Sequence, residues 1–467
     1  MTKIDTPVEA PLTYCAQHQS DHLQELLEFL RIPSVSTQPE RSEDVRRAAE
    51  WLAQALRHSG LENVEIIDTK MHPLVYADWL RAGEDAPTVL VYGHYDVQPA
   101  EPLELWNSPP FEPEIRDDDF IYARGASDDK GQLLIHVQAV EAYLKSTGRL
   151  PVNVKFIFEG EEEIGGESLR RFIVEDGDKL TADVVLISDT SMISKDQPTI
   201  IYGMRGLAYV FVDLIGPAHD LHSGKYGGAI DNPLNVLAHV IAKLKDLDGR
   251  VLIPGFYDKV RRLSADERAR LDRLPIDEET LLEETGAPAV WGEEDYSLAA
   301  RMSARPTLDV NGIIGGYTGP GGKTVLPSTA HAKISMRLVP DQDPEQIARL
   351  FKRYVESLVP STMTVKVTTS HGAAATMLDI ETPAVRAAVE AYAEVWGKDP
   401  VFMRGGGSIP VIGHFQEELG LQSVMMGFGL PDDRIHSPNE RFYLPNYYQG
   451  IETIVHFYDN LARQMKG

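Results

Sequence analysis

The 467-residue chain exceeds what one hydrophobic core usually serves, so at least two domains of roughly 100–250 residues are expected. With 43% hydrophobic and 25% charged residues, global disorder is excluded. Its 71 Asp and Glu against 45 Lys and Arg give a net charge of −26, which repels nucleic-acid phosphates and anionic lipid headgroups. Small molecules are therefore the expected partners, with no nucleic acid and no membrane. The single cysteine, Cys15, cannot form an intramolecular disulfide, and the first twenty residues carry no apolar h-region. No run of 18 or more apolar residues occurs, so a cytoplasmic location is expected.

Residues 20–31 and 43–59 carry helical periodicity, with Leu23, Leu26, Leu27 and Leu30 on one stripe and Val45, Ala48, Ala49, Leu52 and Leu56 on another. Three apolar runs follow, TVLVYGHYDV, VNVKFIFEG and ADVVLISDT, with the helical stretch GQLLIHVQAVEAYLKS between the first two. Continuous apolar runs alternating with helices predict a mainly parallel sheet covered on both faces, a three-layer α/β domain. From about residue 207 the texture becomes strand (LAYVFVDLIG), helix (NPLNVLAHVIAKLKDL), strand (TLDVNGII), strand (HAKISMRLV), helix (PEQIARLFKRYVESLV), strand (MTVKVTT). That order is βαββαβ, the pattern of a ferredoxin-like sandwich with helices on one face. Its Glu/Asp/Arg-rich insert, about residues 250–307, reads as short surface helices. After residue 380 a helix, a Gly-rich turn, the strand QSVMMGFG and a final helix signal a return to the first domain. The expected division is a discontinuous domain of residues 1–206 and 380–467 with an inserted domain of residues 207–379.

Ligands of such sheets collect beyond the carboxyl ends of the strands. There the chain offers His94 and Asp96 in GHYDVQP, Asp128 and Asp129 in RGASDDKG, Glu161 to Glu163 in EGEEEIG and Asp189 in ISDT. A lone His is more often structural, and a lone Asp more often caps a turn. His, Asp and Glu together at one sheet edge form the donor inventory of a divalent-metal site, whose cations would offset carboxylates otherwise forced to protonate. There is no phosphate loop G-x-x-x-x-G-K-[ST] and no serine-hydrolase elbow G-x-S-x-G.

Taken in order, GHYDVQP, RGASDDKG, EGEEEIG, ISDT, DLHSGKYGG, SMRLVPDQ, GGGSIP and RIHSPNE resemble the dinuclear zinc or manganese metallopeptidase family of cytosolic dipeptidases, carnosinases, glutamate carboxypeptidase, aminoacylase and peptidase T. The resemblance covers roughly residues 90 to 440, and GHYDVQP and DLHSGKYGG are most similar to the dipeptidase branch. It implies a catalytic domain with an inserted lid and dimerisation domain, hence a homodimer. It implies two divalent metal ions per subunit, zinc first and manganese second, since two histidines with carboxylates suit either. Asp128 would bridge both metals, His94 and Asp189 completing one and Glu163 with His436 the other. Asp96 would orient the His94 imidazole, and a cis peptide is implied between Asp128 and Asp129.

The family's Glu-Glu pair maps to Glu162 as general base and Glu163 as ligand, with Glu161 a neighbour. Simple strand alternation would instead put Glu161 and Glu163 on one face and Glu162 on the other. The family mapping needs the chain to leave strand geometry, which Gly160, Gly165 and Gly166 permit. His222 would stabilise the tetrahedral oxyanion. Asp189, Thr324, Arg337, Ser408 and His436 would contact substrate, with Arg337 clamping a carboxylate. On KISMRLV, alternation turns Ile334, Met336 and Leu338 to one face and Ser335 with Arg337 to the other.

The function so implied is hydrolysis of the amide bond in dipeptides or short peptides with a free C-terminal carboxylate, by a hydroxide bridging two metals with Glu162 taking its proton. An N-acyl- or N-carbamoyl-amino-acid amidohydrolase is the alternative within the family. A non-catalytic peptide-binding protein on the same fold is the alternative from another class.

Overall fold

The computed structural model describes residues 8–117, 119–370, 372–407 and 409–465. They fall into two compact units. The first runs to Tyr202 and resumes over Leu378–Met403 and from Pro410; the second comprises Gly203–Met377 and Arg404–Ile409.

At the centre of the first unit, strand Thr88–His94 lies parallel to Asn153–Glu159 on one side and to Val184–Ile187 on the other. Ser423–Met426 adds a fourth parallel strand beside Val184–Ile187. Val184–Ile187 and Ser423–Met426 are buried at every residue, as a sheet covered on both faces requires. The helix in the crossover from Thr88–His94 to Asn153–Glu159 is Lys130–Thr147, buried on all sides from Lys130 to Tyr143. Helices Leu444–Gln464, Glu9–Gln17 and Ser42–Ser59 pack around it.

The flanks of this sheet are antiparallel: Leu74–Trp79 beside Asn153–Glu159, then Glu62–Ile67, and on the far side Thr199–Met204 beside Ser423–Met426. The sheet is thus parallel in its four central strands and mixed overall. Leu74–Trp79 escapes a reading of apolar runs because Asp78 interrupts it. That carboxylate is buried but satisfied, accepting from Asn63 Nδ2 and Tyr76 Oη, each at 2.9 Å.

Helix Ser42–Ser59 illustrates how local sequence sets an element. Val45, Ala48, Ala49, Leu52, Ala53 and Leu56 bury one stripe, Glu43 and Asp44 sit in the first turn, and Arg57 and His58 in the last. Gly60 ends it at φ 98°, where any side chain would be strained, and the Leu61 N–H returns to the Leu56 carbonyl at 3.1 Å. Truncating Leu52 to alanine would cost about 2–5 kcal/mol.

In the second unit, strands Gly206–Ile215, Thr307–Gly315, Thr329–Leu338 and Thr364–Thr369 form one antiparallel sheet. Its order is Thr307–Gly315, Thr329–Leu338, Gly206–Ile215, Thr364–Thr369. With helices Pro233–Leu244 and Pro344–Leu358 the chain order is βαββαβ. The helices open on Asn232 and Asp343, whose side chains accept from the Leu234 and Gln346 N–H groups, each followed by a proline at the first helical position. Strand Thr329–Leu338 alternates as its pattern requires: Ile334, Met336 and Leu338 enter the core while Ser335 and Arg337 face the other way. The insert forms helices Ala265–Asp272, Glu278–Thr285 and Leu298–Ser303. Among the described residues no helix is long and apolar enough to cross a membrane.

The parallel register matters most for chemistry. His94 ends its strand opposite Glu159, the last residue of the neighbouring strand, and Asp189 follows Val184–Ile187 by two residues. The acidic loops therefore leave the sheet at one edge.

Candidate metal centre

Two groups of donors form at that edge: His94, Asp128 and Asp189, and Asp128, Glu163 and His436, with donor atoms inside each group within 4.8 Å of one another. Asp128 belongs to both. Its Oδ1 lies 3.0 Å from His94 Nε2, and its Oδ2 lies 2.8 Å from His436 Nε2. His94 Nε2 is 3.9 Å from Asp189 Oδ2, and His436 Nε2 is 3.4 Å from Glu163 Oε2. One carboxylate thus turns an oxygen toward each histidine. His436 reaches this point from a backbone at φ 59°, a conformation uncommon outside glycine.

Asp96 joins the histidine to the glutamate loop. Its backbone carbonyl is 3.1 Å from His94 Nδ1, which leaves Nε2 facing the carboxylates when Nδ1 carries the proton. Its Oδ1 is 3.4 Å from the same Nδ1. The Asp96 carboxylate also accepts from Ser36 Oγ at 2.6 Å and from the Glu162 and Glu163 N–H groups at 3.2 Å each.

This answers how three adjacent glutamates are arranged. The strand ends at Glu159, and Glu162–Ile164 wind into a 3-10 turn that closes through Gly165 at φ 105° and Gly166 at φ 63°. Period-two alternation therefore does not apply. Glu161 is buried away from the donor groups, accepting from the His72 N–H at 2.9 Å and the Ser168 N–H at 3.2 Å. Glu163 stands beside Asp128 and His436, with Oε2 accepting from Gln98 Nε2 at 2.6 Å. The partly buried Glu162 carboxyl lies under the combined influence of His94, Asp189, Glu163 and Asp128.

The electrostatics are those of a site short of positive charge. Burial pushes the Asp189 carboxyl up to about 7, with the Asp128 charge adding to it. Burial holds Glu162 well above the carboxylate range, His94 opposing and Asp189 and Glu163 reinforcing, and it does the same to Asp129 beside Asp189. Asp128 goes the other way: burial would raise it, but hydrogen bonds from His436 and His94 hold it below the usual range. Burial likewise opposes charging His94, yet Asp128 and Asp96 hold it well above the ordinary imidazole value. Bonds to Asp128 and Glu163 push His436 up to about 10.

Within this cluster, protons stand where cations would serve. Glu163 Oε1 is buried with no hydrogen-bond partner, and oxygen and imidazole donors are the set a borderline divalent cation takes. The donors present fit such an ion. The Asp128–Asp129 peptide is cis, and Gly93 before His94 has no room for a side chain, since a Cβ would come within 2.9 Å of Asp129 Oδ2.

The remaining expected contacts belong to the second unit. His222 ends strand Leu221–His222, which pairs with Val325–Leu326, and its Nδ1 accepts from the Gly224 N–H at 2.9 Å. The Thr324 carbonyl accepts from the Ser223 N–H at 3.0 Å, so Thr324 and His222 are neighbours. Arg337 is half-buried between Leu207 and Thr307, and burial lowers its guanidinium from the usual value. Ser408 lies outside the described residues.

Residues 90–460 match the family model described as peptidase family M20/M25/M40. The chain belongs to that family. It is accordingly an enzyme, a hydrolase of the metallopeptidase kind, and the family's peptidases are metal-dependent. It is 32% identical over 456 residues to the Cys-Gly metallodipeptidase DUG1 of Candida albicans, covering 93% of this chain and 94% of that one. Among solved structures it is similar to human carnosine dipeptidase 1, at 30% identity and TM-score 0.86 over 98% of this chain and 99% of that one. It is similar also to the M20 family metallo-carboxypeptidase Sso-CP2 of Sulfolobus solfataricus, at 34% identity and TM-score 0.86 over 95% and 99%.

Residues that support the donors without being singled out in the sequence include Gln98, Arg124 and Glu440. Each lies within one of the eight motif stretches or next to one, so the signal was present. Its meaning was not, because a residue that works through hydrogen bonds to distant backbone leaves no local pattern.

Proposed function

We propose that this protein hydrolyses the amide bond of dipeptides or short peptides with a free C-terminal carboxylate, using two divalent metal ions per subunit, zinc before manganese. The observation that carries this reading is Asp128, whose two carboxylate oxygens address two separate donor groups. In this reading His94, Asp128 and Asp189 hold one ion and Asp128, Glu163 and His436 the other. Two such ions would supply an acidified water and a polarised scissile carbonyl. Glu162 is the general base: its partly buried carboxyl, under the influence of members of both donor groups, takes the water's proton and delivers it to the departing amine. Asp96 keeps the His94 proton on Nδ1 and, through its bonds to the Glu162 and Glu163 N–H groups, holds the base in register with the ligands.

From the inserted unit the same reading draws His222 as stabiliser of the oxyanion and Thr324, Arg337 and Ser408 as substrate contacts, with Asp189 and His436 also touching substrate. Arg337 suits a terminal carboxylate because its planar fork binds both oxygens. The two units would be the catalytic domain and the lid and dimerisation domain. A homodimer is supported by strand Thr307–Gly315, which lies at the edge of its sheet and exposes Ile313 and Ile314 by 56% and 60%. The cytoplasm is the proposed location, in keeping with the lone buried Cys15.

The test is metal analysis of the purified protein followed by a screen of dipeptides, N-acyl-amino acids and phosphate esters with the metal-reconstituted enzyme. Turnover confined to dipeptides supports the proposal; preference for acyl-amino acids or phosphate esters overturns it.

A further inference from the structure

Glu440 is fully buried, and each of its oxygens accepts two hydrogen bonds. Oε1 accepts from the Ser127 N–H at 3.0 Å and the Asp128 N–H at 3.1 Å; Oε2 accepts from the Gly125 N–H at 2.9 Å and from Arg124 Nη1 at 2.7 Å. Its backbone carbonyl accepts from the Ala123 N–H at 3.2 Å. The segment that carries Asp128 is thus wound around a carboxylate four residues beyond His436.

The same fastening reaches further. Arg124, also buried, donates from Nη2 to the Pro99 carbonyl at 3.1 Å and the Ser437 carbonyl at 3.4 Å. Gln98, next to Pro99, donates to Glu163. Ser127 Oγ donates to Asp433 Oδ2 at 2.8 Å, which also accepts from the Leu430 N–H at 2.7 Å. The segments that carry Asp128 and His436 and the Gln98–Pro99 segment, whose Gln98 side chain donates to Glu163, therefore meet at a single buried pair.

Neutralising Arg124 would need less than this. A carboxylate serving only as counterion takes the two-bond fork of the guanidinium. Here it gives Arg124 one bond, leaves Arg124 Nε buried without a partner, and spends its other acceptor positions on loop amides.

We propose that Glu440 is a positioning residue that sets the separation of Asp128 and His436, and so governs the Asp128, Glu163, His436 metal group more than the His94, Asp128, Asp189 group. The pair places no bond on His94, which closes its strand five residues before Pro99, or on Asp189, two residues past Val184–Ile187. The inference rests on the reading of these donors as metal ligands. Outer partners of this kind alter metal affinity about 10–100-fold.

The experiment compares wild type, Glu440→Gln, Glu440→Asp and the double variant Glu440→Gln/Arg124→Met by equilibrium dialysis against zinc and metal analysis, with thermal melts of the metal-free proteins. At free zinc just saturating wild type, both single variants and the double variant should hold about one ion per chain instead of two. Glu440→Asp keeps the charge beside Arg124 but is one methylene too short for the loop amides, so it reports even where Glu440→Gln does not fold. Return of two ions in the double variant, or two ions in Glu440→Asp with only a lowered melting temperature, overturns the positioning role in favour of charge balance. A wild type that binds no divalent metal overturns the metal reading itself, and this inference with it.

Discussion

Where the central strands of the first unit end, Asp128, Asp129, Glu162, Glu163 and Asp189 are gathered around His94 and His436, and burial presses most of them toward the neutral form. The sheet of the second unit handles polar groups differently. His331 pairs with Asp213 at 2.7 Å on a partly exposed face, while Ala330, Ala332, Ile334, Met336 and Leu338 fill the other side. The second arrangement is what stability alone produces, with polar groups paired at the solvent face and apolar groups inside. The first costs stability unless positive charge arrives, which is why it marks a site.

Substitutions can break that contrast. Asp128→Asn should be the most severe, removing the shared oxygen pair. Both metal content and turnover should fall to background, as measured by metal analysis and a dipeptide assay. Glu162→Gln should lower kcat about 10²–10⁴-fold while metal content stays at the wild-type level; simultaneous loss of metal would make Glu162 a ligand instead.

In the second unit, Ile334→Ala should cost about 2–5 kcal/mol in chemical denaturation and leave the metal content per folded chain unchanged, because it opens a cavity in a separate core. Chelation should do the converse, lowering the melting temperature by an amount equivalent to about 3 kcal/mol for a ligand at a hundred times its dissociation constant. An apo protein as stable as the loaded one would contradict the charge argument.

The smallest effect is expected at Glu25. Burial pushes its carboxyl from 4.5 up to about 7, the bond from Gln138 opposing and Glu141, Glu28 and Asp21 adding. The folded chain therefore holds this proton more tightly than the unfolded one, so the contribution is fully present below about pH 4.5 and is lost as pH rises through 7. Glu25→Gln should raise stability at pH 8 relative to pH 5, by less than about 1 kcal/mol because the group is partly screened by solvent. An equal change at both pH values would count against it.

Much of the fold was legible because period and polarity are local. The helix stripes near residues 20–31 and 43–59, the central apolar strands and the βαββαβ order are each written within a dozen residues. Strands Glu62–Ile67 and Leu74–Trp79 and helix Glu9–Gln17 were not legible. Leu74–Trp79 hides because buried Asp78 is satisfied by Asn63, a contact no window over one strand contains. The same divide runs through the site. Residue types and motif order point to His94, Asp128, Glu163, Asp189 and His436, but alternation alone would pair Glu161 with Glu163.

What the amino-acid order determined by itself is which faces are apolar, where strands stop and which donor types follow them, since each of these depends on neighbours within a few residues. The tertiary structure decided the rest: that Glu161 turns to His72 and Ser168, that Asp128 offers one oxygen to each histidine, and that Glu440 fastens the loop beneath it. Those outcomes come from hydrogen bonds between segments far apart in the chain, whose energies exist only once the sheet has brought its loops to a common edge.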